Sequence, residues 1–310
     1  MPGQVVLEGC HLTKRFGDRT AVEDVCLKVN EGDIYGFIGP NGAGKTTTIR
    51  MMLGLISPTT GTSQILGHDI RHDFKRAIRH VGAFVEGPAS YPYISGRRNL
   101  RLFGHLSGGV SETRIQEVLE LVGLGTRGDD RVSGYSQGMR QRLGIAMALL
   151  TRPRVLILDE PTNGLDPQGI REVRNLVRRI RDEGHTTVFL SSHLLGEMEQ
   201  ICNYIGIIYR GRIIREGNMD TLIGSGSDVV VVQVDEEQDA KAVAFLEEKL
   251  SVKPELVRRG VIEFPRGELV VNPITSALVG AGLRLNGIFA RHRSLEEYFV
   301  QLTGESQDVY

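Results

Sequence analysis

The chain has 310 residues, of which 40% are hydrophobic and 24% charged, and 37 basic against 38 acidic residues give a formal net charge of −1. These values exclude a disordered or fibrous chain and leave room for one large domain plus an appendage, or two modest domains. The near-neutral balance gives no global pull toward nucleic acid, which is not expected as a partner.

In chain order, Gln4–Glu8, Ala21–Val29 and Asp33–Ile38 read as short strands. A glycine loop follows, then a helix over Lys45–Leu55 that ends near Gly54 and Pro58. Val81–Val85 is strand-like, Gly87–Gly96 is loop, and Arg97–Leu150 is mostly helical, with apolar residues three and four apart. Val155–Leu158 is a continuous apolar run suited to a parallel strand buried on both faces. Helix Ile170–Arg181, strand Thr186–Leu190 and helix His193–Cys202 come next. Ile205–Tyr209 and Arg212–Arg215 form a hairpin turning at Arg210-Gly211. This alternation predicts an α/β core with a parallel sheet. Gly224-Ser225-Gly226-Ser227 reads as a linker (224–228) closing a first domain over 1–223. A small α+β domain over 229–310 follows: strand Val229–Val234, helix Asp239–Leu250, strands near Val261–Phe264, helix Pro273–Gly280, strand Leu283–Phe289 and a helix from Ser294.

The sharpest motif is Gly39-Pro40-Asn41-Gly42-Ala43-Gly44-Lys45-Thr46-Thr47, a complete GxxxxGK[ST] between an apolar strand and a helix. Glycines let successive backbone N–H groups converge on phosphate oxygens, and the helix N-terminus adds partial positive charge. Lys45 would reach the β- and γ-phosphates and the Thr46 hydroxyl would ligate Mg²⁺. Asp159 and Glu160 follow the aliphatic run at the strand's C-terminal end, the edge where doubly wound sheets bind ligands. Asp159 suits a Mg²⁺ shell, directly or through water, and Glu160 could polarise a water toward the γ-phosphorus. His193, at the end of strand Thr186–Leu190, lies on the same edge. A second helix start, Tyr135-Ser136-Gln137-Gly138-Met139, offers the Ser136 hydroxyl and the Gly138 N–H. Alone it is also the pattern of a plain helix cap. As an anion cradle it is surplus to one nucleotide, and would close over a nucleotide held by another subunit.

Together these residues resemble the ATP-binding cassette (ABC) family, specifically a transporter nucleotide-binding subunit, over about residues 4–220. The resemblance implies a P-loop NTPase core with an antiparallel β subdomain and a helical subdomain (about 90–150), and ATP with Mg²⁺ as cofactors. It makes Gly39–Thr46 the Walker A motif, Val155–Glu160 Walker B with the catalytic glutamate, and Tyr135–Met139 the signature facing the opposing subunit's ATP. It sets Phe16 on adenine, Asp166 in the D-loop across a homodimer interface, and His193 as the switch histidine sensing the γ-phosphate. Leu106-Ser107-Gly108-Gly109-Val110 looks closer to the family's LSGGQ string. Only Ser136 stands just before the helix leading into Walker B, however, so Ser107–Gly109 is read as a loop.

Glu86 stands where the family's Q-loop usually carries glutamine; a carboxylate keeps an oxygen for Mg²⁺ but loses the amide donor and adds charge. This glutamate, the Tyr-Ser-x-Gly-Met style and the closing Ser294–Gly304 segment resemble drug and antibiotic exporter subunits. The implied function is an ATPase that powers a separate multi-span permease from the cytoplasmic membrane face, coupled through Gly87–Gly96. The alternatives are a soluble ABC ATPase acting on ribosome or nucleic acid, and an importer ATPase with a regulatory C-terminal domain. A single phosphate loop and a short interval between Thr46 and Ser136 count against the ribosomal and DNA-repair relatives respectively.

Other residues have ordinary readings. The opening Met-Pro-Gly-Gln-Val-Val-Leu-Glu lacks the regions of a secretory signal, and no apolar run nears the ~20 residues of a membrane span. Cys10, Cys26 and Cys202 form no CxxC pair, and their apolar neighbours predict buried reduced thiols rather than a disulfide framework or zinc site. His68, His72 and His292 read as surface residues. Arg171, Arg174, Arg178 and Arg181 form a stripe at helical spacing, read as a solvated face, with contact to anionic lipid or a partner as the alternative.

Overall fold

The computed structural model describes residues 3–87, 89–184, 186–223, 229–250, 252–266, 271–291 and 294–304. The chain divides into Met1–Gly217 and Asn218–Tyr310, a boundary slightly before the one read from the glycine–serine run. That run, residues 224–228, lies outside the described residues, as does His292.

The first unit runs β1 (Val5–Phe16), β2 (Arg19–Asn30), β3 (Ile34–Ile38), α1 (Lys45–Met52), β4 (Thr60–Ile65), β5 (His68–Asp69), α2 (Phe74–Ile78), β6 (Val81–Phe84), α3 (Gly96–Leu106), α4 (Glu112–Leu121), α5 (Gln137–Leu149), β7 (Val155–Asp159), α6 (Pro167–Gly184), β8 (Thr187–Ser192), α7 (Leu195–Ile201), β9 (Tyr204–Tyr209) and β10 (Arg212–Asn218). A six-stranded sheet has the order β10-β9-β3-β8-β7-β6. Every residue of β3, β7 and β8 is buried, as continuous aliphatic and aromatic runs require when helices cover both faces of a parallel sheet. A second sheet, β2-β1-β4-β5, is antiparallel and packs Leu7, Leu12, Val25 and Leu27 into the core shared with Phe37 and Ile49.

Parallel registers set the site. Ile38 of β3 pairs with Ser192 of β8, and Asp159 of β7 pairs with Ser191. The chain therefore leaves three adjacent strands at one edge, each into a loop that carries a predicted site residue.

The expected helical region is three helices, each started by a serine whose hydroxyl accepts a backbone N–H: Ser95 from Arg98, Ser111 from Arg114 and Ser136 from Met139. Arg114 ties α4 to the end of α5, its guanidinium donating to the Leu149 and Leu150 carbonyls at 2.6 and 3.2 Å. Helix α1 ends earlier than expected, at Met52, because Gly54 turns the chain at φ 68°.

Two sequence expectations are corrected. Of the cysteines only Cys202 is buried; Cys26 is exposed and Cys10 intermediate, because alternation along β1 and β2 turns Leu12, Val25 and Leu27 inward instead. Burial pushes the Cys202 thiol well up. The arginine stripe on α6 is only partly solvated: Arg174 pairs with Glu197 and Gln200, and Arg178 donates to the Gln200 carbonyl, so its middle docks against α7.

The second unit holds α8 (Met219–Ile223), β11 (Val229–Val234), α9 (Asp239–Leu250), β12 (Glu255–Arg258), β13 (Val261–Pro265), α10 (Val271–Gly280), β14 (Leu285–Arg291) and α11 (Leu295–Thr303). Its antiparallel sheet, β12-β13-β11-β14, packs Val230, Val232, Ile262 and Phe264 against Ala242 and Leu246 of α9 and Ile274 and Leu278 of α10. Strand β12, which is exposed throughout, pairs with β13 in the region where strands are expected near Val261–Phe264, but the sequence reading gives it no bounds of its own. Ser294 and Glu297 form a capping box on α11, and Arg291 bridges Glu263 and Glu297 at 2.6 and 2.8 Å.

At Gly82 of β6 a Cβ would lie 2.0 Å from the Ala148 carbonyl oxygen of α5, so sheet and helix approach backbone to backbone. Gly82→Ala is expected to destabilise the first unit by about 1–3 kcal/mol, read as a lower denaturant midpoint at constant slope. An unchanged midpoint would show that α5 moves aside freely.

Candidate nucleotide site

Between β3 and α1 the loop Gly39–Gly44 bends tightly. Gly39 passes so close to β9 that a Cβ would sit 2.1 Å from the Ile208 carbonyl oxygen, and Gly44 adopts φ 109°. Gly44 caps α1 with no side chain on its amides, which leaves the helix's first N–H groups available to an anion. Pro40 is half-buried, Asn41 and Gly42 are exposed, Ala43 is buried, and Thr46 and Thr47 are half-buried at the helix start.

Lys45 is the charged centre of this loop. Its Nζ donates to the Gly39 and Pro40 carbonyls at 2.6 and 3.1 Å and pairs with Glu160 Oε1 at 3.1 Å. Glu160 Oε2 lies 2.8 Å from His193 Nδ1. Glu160 is placed there by a positive φ of 48°, which breaks β7 immediately after Asp159. His193 stays in a turn ahead of α7, which begins at Leu195 rather than at His193, with the Ser192 hydroxyl accepting the Leu194 N–H.

Sequence reasoning passed over Ser191. Its hydroxyl donates to Asp159 Oδ1 at 2.6 Å and accepts the Glu160 N–H at 3.0 Å. One buried side chain thus fixes both acidic residues; the signal was a polar pair, Ser191-Ser192, ending a strand whose neighbour in the sheet carries the carboxylates. A cavity of 510 Å³ opens beside them, lined by Thr46, Glu86, Asp159, Glu160, Gln141 and Asn163 among others. Gln141 is buried on this wall and its amide oxygen has no hydrogen-bond partner among the described residues. Glu86, at φ 63°, turns its carboxylate to Arg50 of α1, an ion pair that no sequence motif announced.

Ser136 and Asp166 are not in this cluster. Ser136 is exposed at the N-terminus of α5, with Gly138 in its first turn. Tyr135 anchors it: buried, with its phenol pushed up by burial so that it stays protonated, it donates to the Arg127 carbonyl at 2.7 Å. Asp166 accepts the Gly169 N–H at 3.0 Å at the start of α6. The two regions are joined through the Gln137 amide, which donates to the Asn163 carbonyl at 3.2 Å. Ser107, by contrast, ends α3 with its hydroxyl donating to the Phe103 carbonyl, followed by Gly108 and Gly109 at φ 96° and 98°. A helix C-terminus presents carbonyls and negative partial charge, so this LSGG string is the wrong end of a helix for phosphate. Phe16 lies at the exposed end of β1, with Lys14 Nζ 5.1 Å from its ring centroid.

A glycine loop with uncapped amides, a lysine, and two carboxylates at the end of β7, one strand removed in the same sheet, define a P-loop nucleoside triphosphatase. Residues 22–163 match the family model for ABC transporters. The chain is 41% identical over 305 residues, 98% of each protein, to the uncharacterized ABC transporter ATP-binding protein YhcH of Bacillus subtilis. It is 40% identical over 300 residues to the bacitracin transport ATP-binding protein BcrA of Bacillus licheniformis, covering 96% of this chain and 97% of that one. The daunorubicin resistance ATP-binding protein DrrA3 of Streptomyces coeruleorubidus is 36% identical over 302 residues, 96% of this chain and 95% of that one. Among solved structures, an ATP binding subunit of an ABC transporter matches 70% of this chain and 91% of its own, with a TM-score of 0.61 and 30% identity. The chain belongs to the ABC transporter family as one of its ATP-binding subunits, an ATP-hydrolysing enzyme, and the resemblance to the drug and antibiotic group read from its sequence is met by these relatives.

Ser191→Ala removes the donor on Asp159 and the acceptor for the Glu160 N–H while deleting one oxygen. Loss of such a supporting hydrogen bond is expected to reduce ATP turnover about 10–100-fold with the thermal midpoint little changed. Turnover equal to wild type would show that the two carboxylates hold themselves.

Proposed function

We propose that this chain is the motor of an exporter for an antibiotic or other small amphipathic drug, working as a homodimer on a separate multi-span permease at the cytoplasmic membrane face. The observation that carries this reading is the convergence of Lys45, His193 and the Ser191-braced Asp159 around Glu160. The relatives that are bacitracin transport and daunorubicin resistance ATP-binding proteins support the export of such compounds. No helix among the described residues is long and apolar enough to cross a membrane, so the reading assigns the spanning part to the partner.

In this reading the amides of Gly39–Lys45, with Asn41, Ala43 and Thr47 in the same cradle, hold the phosphates of ATP. Lys45 exchanges its Glu160 contact for the γ-phosphate, which frees the carboxylate to take a proton from the attacking water while His193 holds the other carboxylate oxygen. Thr46, Asp159 and Glu86 are the hard oxygen donors that line one cavity, and they fit Mg²⁺. Bound there, the ion would neutralise charge developing on the phosphates. Phe16 stacks on adenine. Ser136 and Gly138 of the second copy cap the phosphates, and Asp166 lies at the interface between copies. Exposed Tyr91, Tyr93 and Leu106, in and near the segment after Glu86, suit docking on cytoplasmic helices of the permease. Residues 229–310 act as an accessory domain that stabilises or regulates the dimer.

Glu160→Gln keeps size and hydrogen bonding but cannot accept the proton. It is expected to cut turnover at least about 100-fold and to accumulate ATP-bound dimers on size-exclusion chromatography. Wild-type turnover in this variant refutes the assigned base. In vesicles carrying the permease, ATP on the subunit's side should drive the drug away from that side, and movement toward it refutes export.

A further inference from the structure

Away from the nucleotide loop, three side chains of β1 and β2 bring metal-ligating atoms within 4.8 Å of one another: His11, Asp24 and Cys26. The backbone builds this convergence. Between the pairs Gly9↔Leu27 and Leu12↔Val25, Cys10 and His11 oppose Cys26 alone; between Leu12↔Val25 and Lys14↔Val22, Glu23 and Asp24 oppose Thr13 alone. These are two bulges on opposite strands, and His11 and Asp24 adopt φ of 51° and 53° within them. Bulges re-aim side chains, and here both turn to Cys26. The His11 N–H donates to Cys26 Sγ at 3.1 Å, His11 Nδ1 lies 2.7 Å from Asp24 Oδ1, and the Asp24 N–H donates to Thr13 Oγ1 at 3.0 Å. Gly61 of β4 crosses so near that a Cβ would be 2.3 Å from the His11 carbonyl oxygen; the neighbouring strand therefore accommodates the first bulge only through a glycine.

We propose that His11, Asp24 and Cys26 form a site for a divalent transition metal of the zinc type. An imidazole, a carboxylate and a thiolate match the borderline-soft ions, whereas Mg²⁺ and Ca²⁺ take oxygen donors. Three protein ligands leave a fourth position for water. Cys10, half-buried on the same strand, stands outside the set, which makes it the internal control.

The test uses the full untagged chain without nucleotide, titrated with Co²⁺. One equivalent is expected to produce thiolate-to-cobalt charge transfer and the intense d–d bands of a four-coordinate ion, both displaced by Zn²⁺. Cys26→Ser should abolish the charge transfer. His11→Ala and Asp24→Asn should each weaken binding at least about tenfold, and Cys10→Ser should leave it intact. All three ligands are exposed, so the variants retain the fold, and circular dichroism checks this. A wild-type titration without charge transfer, a band that survives Cys26→Ser, or one lost in Cys10→Ser overturns the proposal.

Discussion

A single carboxylate, that of Glu160, shared between Lys45 and His193, organises the nucleotide edge of the molecule. Only 5% of the Lys45 side chain is exposed, and a cation so buried is tolerated only when its donors are matched. Two loop carbonyls and Glu160 match all three. A triphosphate carries more negative charge than a carboxylate and competes for the same ammonium. In the proposed cycle, substrate binding and release of the base are therefore one electrostatic exchange. The exchange depends on geometry fixed by the parallel registers Ile38↔Ser192 and Asp159↔Ser191. A slip of one residue would turn every one of these side chains to the other face of the sheet.

The second anion cradle has a different logic. Gln137 and Asn163 tie the start of α5 to the loop after Glu160 within one chain, while Ser136 remains exposed beside that link. A helix start braced to the loop after Glu160 but open to solvent suits the proposed second copy, since a closing partner would then report directly on the position of Glu160. The contrast with Ser107 is one of helix polarity. The two strings look alike, yet one offers amides and the other carbonyls.

Much of this was legible in the sequence because its signals are local. A glycine loop between an apolar strand and a helix, two acids after four aliphatics, and a serine in capping position each declare their surroundings. The C-terminal elements read from the sequence are each found for the same reason, among them the valine-rich strand Val229–Val234 and helix Asp239–Leu250, though the strand read as Leu283–Phe289 runs Leu285–Arg291. What escaped was long-range or marginal. Ser191 acts through strand pairing that no window of sequence contains, and the Arg50–Glu86 ion pair joins residues far apart in the chain. Strand β12, with every residue exposed, has no buried face to create a period. The cysteines misled because apolar neighbours in sequence lie on the opposite face of a strand.

Backbone strain follows the same division. A non-glycine residue held at positive φ costs on the order of 1–3 kcal/mol and persists where the surroundings over-determine it. Such residues include Glu160 and Glu86 at the nucleotide cavity, and His11 and Asp24 in the paired bulges. At Glu160 the turn is enforced by Ser191 from behind and by Lys45 and His193 in front, and it takes the side chain out of strand alternation to meet both the Lys45 ammonium and the His193 ring. At His11 and Asp24 the same conformation is locked by Thr13, Cys26 and the passing Gly61. An ordinary hairpin edge would relax such bulges by a one-residue shift in register. That it is instead pinned from three sides is the physical reason for reading those residues as a built site rather than an irregular turn.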